Sequence, residues 1–187
     1  MLTVFLVTAA CPTRAQNGNR DHLSPQESDI VRDTRELDNR IEVLIKMAER
    51  RFAVINGTPD PVAKGSTATK SKKKKDEDEV DWGDPPKGTR VELLDDVAGI
   101  LDEAITNIDD VSRRDEKNPL IGKALRKLAG ATKGFAGQMV KLRDQAKSED
   151  ELNAIERTAD LTQQIIDASA KAPALPSEDS SQKKKKP

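Results

Sequence analysis

Residues 89–114 read TRVELLDDVAGILDEAITNIDDVSRR, and this stretch decides the fold. Leu94, Val97, Leu101, Ala104, Ile108 and Val111 recur at the spacing of one helical face. Leu93, Ala98, Ile100 and Ile105 widen that face into the broad stripe of a helix packed on a core. Thr89 followed three residues later by Glu92 is a capping box, in which each side chain satisfies the other's backbone amide. An apolar stripe of this width has to be buried against other helices.

Three further segments carry the same period. The first runs from Ser24 to about Ile55. Ser24, Pro25 and Glu27 open it, Asn56-Gly57 and Pro59 close it, and Ile30, Leu37, Ile41, Leu44, Ala48 and Ile55 form its seam. Ile45 and Phe52 broaden that seam, and Thr34 and Arg51 interrupt it. The third segment starts at Asn118-Pro119 and ends near Lys147, with Ile121, Leu125, Leu128, Phe135, Met139 and Leu142 on one stripe. The fourth has Ser148 as cap and Glu151 three residues later. Leu152, Ile155, Ala159, Thr162, Ile165 and Ile166 follow, and Pro173 and Pro176 stop it. The expected fold is therefore all-α, an antiparallel three-to-four-helix bundle.

The connections set the expected organisation. Short links make the last three helices consecutive antiparallel neighbours, so residues 89–172 read as a three-helix core. Residues 24–56 read as one added helix, loosely tethered and the element expected to exchange partners. Residues 57–88 hold Pro, Gly, Ser, Thr and charge blocks with almost no apolar content, and read as a disordered linker. At roughly 3.4 Å per residue that linker spans a helix of about 45 Å in either direction. The first helix is thus free to run parallel or antiparallel to the second. Residues 173–187 read as a disordered Lys-rich tail, and residues 16–23 as a flexible lead-in.

Residues 1–15 read as a secretory signal peptide. Leu2 to Ala10 form an uncharged run of largely apolar residues, followed by Cys11-Pro12 and then Thr13-Arg14-Ala15, which places cleavage between Ala15 and Gln16. About nine such residues are too few for a bilayer-spanning helix, which needs roughly 20, so no transmembrane span is expected. The segment departs from the usual pattern in having no Lys or Arg before Leu2. A second reading lies within it. Thr8-Ala9-Ala10-Cys11 resembles a bacterial lipobox, which implies a lipid-anchored protein acylated at Cys11, although Thr8 stands where that motif has Leu. The expected location is periplasmic or secreted.

Composition narrows the function. The chain is 35% charged and 35% hydrophobic, with 2% aromatics, so a substantial part must be solvated and the core must be aliphatic. Losing residues 1–15 removes one Arg and no acid, which moves the formal charge from −1 to −2. A chain so close to neutral has no global attraction to nucleic acid or anionic lipid. The one Cys leaves with the signal segment, so no disulfide is expected and stability must come from burial.

His22 is the only histidine, and it lies in a polar segment without an evident chemical partner. No Gly-rich phosphate loop and no Glu-x-x-His pair is present. Asp95-Asp96 and Asp109-Asp110 read as a solvated face. No catalytic residue, metal ligand or cofactor is expected. Gly130, Gly134 and Gly137 form a small-residue stripe, read as permitting close backbone approach or weakening the helix.

The candidate contacts are for macromolecules. Lys72, Lys73, Lys74 and Lys75 are followed directly by Asp76-Glu77-Asp78-Glu79, an acidic block that competes for them within a Debye length of about 8 Å. Lys183, Lys184, Lys185 and Lys186 form the freer basic run, worth roughly 1 kcal/mol each near an anionic surface. Trp82, the only tryptophan, is expected either to dock on the bundle or to hook a partner, docking being the leading reading. The leading expectation is a non-enzymatic helical interaction or structural module, with a protein partner or self-association through helix faces. The rival is a binder of polyanions or anionic envelope surfaces through the Lys runs.

Overall fold

A computed structural model describes residues 21–62 and 80–171. The fold is an all-α bundle of five helices: α1 (Pro25–Asp33), α2 (Leu37–Asn56), α3 (Arg90–Arg114), α4 (Pro119–Asp144) and α5 (Glu149–Lys171). The caps read from the sequence form. Ser24 and Glu27 close a capping box on α1, Thr89 and Glu92 do so on α3, and the Asn118 side chain accepts from the Leu120 amide at the start of α4. At α5 the Ser148 hydroxyl accepts from the Glu151 amide. Gly57, in the left-handed conformation at φ 65°, ends α2.

Residues 24–56 form two helices where the sequence predicts one. The chain turns at Thr34, which is extended at φ −83°, ψ 104°. Its hydroxyl donates back to the Ile30 carbonyl at 2.7 Å, while its own carbonyl accepts from Arg40 Nε at 2.9 Å. These bonds satisfy the corner locally, so the helix ends without loss. The seam break at Thr34 is therefore a bend.

α2 packs on α3 and α4, and α5 packs on the same two, so the helices run α2, α3, α5, α4 around the bundle. Polar contacts give the directions. Arg40 near the start of α2 donates to Asn107 late in α3, and Arg51 near the end of α2 faces Asp96 early in α3, so these helices are antiparallel. Lys123–Asp38 and Asn56–Gln138 tie start to start and end to end, so α2 and α4 are parallel. The Thr158 hydroxyl donates to the Leu94 carbonyl and, further along both helices, Ile165 and Ile108 line one cavity, so α3 and α5 are parallel. Arg143 and Glu156 link α4 and α5 as an antiparallel hairpin.

The consecutive helices α3 and α4 are thus antiparallel but sit mainly across the diagonal, a correction to the three-helix core of neighbours. Residues 115–118 form a turn in which the Asn118 amide donates to the Asp115 carbonyl at 3.1 Å. The turn reverses the chain, but α4 packs mainly on α2 and α5, so a short link does not force adjacency.

The core is aliphatic. Ile41, Leu44, Met47, Ala48, Leu94, Val97, Ile100, Ala104, Ala124 and Leu128 have no exposed surface. Phe52 stacks on Phe135 at 4.9 Å between α2 and α4. Four of the most buried residues lie on α2, so α2 is central to the bundle, not a loosely tethered addition. Leu152, expected in the seam of α5, is 36% exposed in its first turn, and Thr158 is buried there instead. Among the described residues no helix is long and apolar enough to cross a membrane.

Candidate functional site

The most unusual feature is a set of buried charges at the end of the bundle where α2 finishes and α3 begins. Glu27, Arg50 and Arg51 are each 1–2% exposed and Asp96 is 4% exposed. Burying a charge costs several kcal/mol unless it is paired and hydrogen-bonded, and here the pairing is dense. Glu27 already caps α1 through its reach back to the Ser24 amide at 3.0 Å. From that position it accepts from Arg51 Nη1 and Nη2 at 2.5 and 2.6 Å and from Arg50 Nη1 at 2.9 Å. Burial pushes the Glu27 carboxyl up, but Arg51, Ser24 and Arg50 outweigh it and hold it below the usual glutamate range.

The two arginines sit side by side on α2 and gather different segments. Arg51 donates to the His22 carbonyl at 2.8 Å and to the Met47 carbonyl at 3.2 Å. Its Nε has no hydrogen-bond partner, and Asp96 Oδ2 lies 3.9 Å away. Arg50 gathers both ends of the linker. Nε donates to Asp60 Oδ2 at 2.9 Å, Nη1 to the Trp82 carbonyl at 2.9 Å, and Nη2 to the Asp84 and Gly83 carbonyls at 2.8 and 3.3 Å. Its guanidinium also lies over the Trp82 ring, 5.9 Å from the centroid. A rigid five-donor fork suits this role, and a lysine could not fill it.

This cluster corrects several expectations. Residues 57–62 and 80–88 of the linker are described, and they dock on the bundle through Arg50. Trp82 packs against the core as the leading reading expected. Residues 21–23 are not a loose lead-in, since Leu23 is 8% exposed and joins the core. Arg51 interrupts the apolar seam of α2 because it takes a carboxylate there instead of a neighbouring side chain. Asp96 is buried facing Arg51, not solvated, whereas Asp95 pairs at the surface with Arg157. Sequence reasoning missed this site, taking Arg51 only as a break in the seam and Glu27 only as a cap; the signal that marks it is an Arg-Arg pair inside an apolar seam with a capping Glu able to face it.

His22 seats its ring on Gly99. A Cβ at position 99 would lie 2.8 Å from the His22 Cγ, so the ring can approach α3 only over glycine. Nε2 pairs with Glu103 Oε2 at 2.9 Å, and Nδ1 lies 3.6 Å from Asp21 Oδ1. The Glu103 hydrogen bond, with Glu103, Asp21 and Asp96 as charges, outweighs burial and raises the imidazole above its ordinary value.

Lys72, Lys73, Lys74, Lys75, Lys183, Lys184, Lys185 and Lys186, with Cys11, Ala15 and Gln16, lie outside the described residues. No Cβ placed at Gly130, Gly134 or Gly137 would meet anything within 4 Å, so these glycines admit no close backbone neighbour. Among the described residues no group of three His, Cys, Asp or Glu is placed to hold a metal ion. The chain matches no family model, no characterised protein and no solved structure in the comparisons made.

Proposed function

We propose that this chain is an exported, non-enzymatic interaction module in which a rigid helical bundle holds out the charged segment 63–79 to a protein partner. One observation carries the reading: a single buried guanidinium, Arg50, bonds Asp60 on one side of the segment and Trp82, Gly83 and Asp84 on the other. The described residues on either side of the segment thus meet at one point on the bundle. Anchoring both flanks lowers the entropy lost on binding relative to a free tail, which favours recognition. Export rests on residues 1–15 as a signal peptide.

Photo-crosslinkers at Lys72 and Lys75, used in cells of an exporting host, test the reading. A specific protein should be captured, and Arg50→Lys, which keeps the charge but loses the fork, should weaken capture several-fold while shifting Trp82 emission to the red. Retention on heparin or anionic vesicles that falls steeply with salt, and is lost with Lys72, Lys73, Lys74 and Lys75 changed to Gln or with Lys183 to Lys186 deleted, would make the polyanion reading correct instead. Mass and N-terminal sequence of exported material test the route. A chain starting at Gln16 supports cleavage after Ala15, and an acylated Cys11 would replace it with a lipid anchor.

A further inference from the structure

We propose that residues 21–33 form a proton-sensitive strap, held on the bundle by the His22 imidazolium paired with Glu103 over Gly99 and loosened when that ring loses its proton. The inference stands whether or not segment 63–79 contacts a partner.

The strap is a distinct unit. It is set off from α2 by the corner at Thr34, and α1 packs on no helix but α2. Its anchors are Leu23 and Val31 in the core with Ile30 packed against it, the Glu27 carboxylate, the His22 carbonyl and the His22 ring. Of these, the ring alone changes charge between pH 5 and 8 unless strongly perturbed.

The charges around His22 favour its proton. Its own segment contributes Asp21, at 3.6 Å, and Glu27. α3 contributes Glu103, at 2.9 Å, and Asp96. α2 contributes the cation Arg51, whose charge is engaged by Glu27 while it donates to the His22 carbonyl. Asp84 and Lys87 line the cleft shared with Asp21 and Asp96. At the neighbouring cluster two guanidinium groups, Arg50 and Arg51, meet three carboxylates, Glu27, Asp60 and Asp96. The imidazolium sits beside this acidic surplus while pairing with Glu103. When the docked ring titrates above its ordinary range, its contribution is complete below the value of the released strap and is lost as pH rises through the docked value. The strap therefore grips in weak acid and slackens toward weak alkali.

The test uses the full chain. His22 is the only histidine, so one imidazole resonance reports it. In the wild type its midpoint should lie above the ordinary value of about 6.5, and Glu103→Gln should lower it. Amide exchange of residues 23–33, referred to residues 124–142 of α4 at the same pH, should lose protection several-fold between about pH 5.5 and about pH 8.5, roughly tenfold for each unit by which docking raises the midpoint. In His22→Gln the strap should show no such dependence. A wild-type midpoint at or below the ordinary value, strap protection flat with pH, or a pH response kept in His22→Gln would each overturn the proposal. Should a variant fail to fold, the two wild-type measurements still decide.

Discussion

Arg51 occupies a position where the period of α2 calls for an apolar side chain, and it is tolerated there because Glu27 arrives from another helix with both carboxylate oxygens. Such a pair is costly to break from one side. Glu27→Gln or Arg51→Met leaves the other partner charged and buried, and each should cost about 3–5 kcal/mol, read from urea unfolding. Changing both, Glu27→Leu with Arg51→Met, should recover only part of that loss, because the desolvation of both ions disappears but Arg50 loses its Glu27 partner and Asp96 the guanidinium facing it. At Gly99 the constraint is steric. Gly99→Ala places a methyl group against the His22 ring and should lift the strap, visible as faster amide exchange over residues 21–33, while the helical signal of the bundle stays. Leu101→Asp, at 1% exposure in the core, should unfold the bundle outright, seen as loss of the helical circular dichroism signal.

Among the elements, α4 is the least well matched to its own conformation. Gly130, Gly134 and Gly137 lie in its middle, each facing open space. Replacing any one by Ala removes an entropic cost without introducing a clash, so Gly130→Ala and Gly134→Ala should each stabilise by about 0.5–1 kcal/mol in urea titrations. The same substitution thus has opposite outcomes at position 99 and at position 130, although both are mid-helix glycines. The starts of α1, α3 and α4 were legible because their signals are local: Ser24 with Glu27, Thr89 with Glu92, and Asn118 before Pro119 each act within one turn, whereas α2 starts without a side-chain cap and was missed. The corner at Thr34 was legible only as an irregularity, since besides its local bond to the Ile30 carbonyl it is fixed by Arg40, itself positioned by Asn107 on α3.

Taken whole, the molecule carries opposing pH responses. Glu27, as described, and Asp38 and Glu42, lowered chiefly by hydrogen bonds from Lys123 and Lys127, are held below their ordinary values. Their contributions are present above the unfolded values and fade as pH falls through the folded ones. His22 works from the other side and fades as pH rises. Glu49, raised by burial, also favours the acid side. The melting temperature should therefore peak in mildly acidic buffer and fall steeply below about pH 4, measured by calorimetry across pH.

The sequence by itself determined the four apolar stripes and most of their caps, because periodicity and capping act over a few residues; it left Trp82 open between docking and hooking a partner, and packing against the core decided for docking. It did not determine that α2 lies antiparallel to α3, that α3 and α4 face across the diagonal, or that Asp96, Glu27 and the arginines form one buried cluster. Those outcomes depend on which stripe meets which and on charges brought together from positions 27 to 96, and only packing in three dimensions sets such distances.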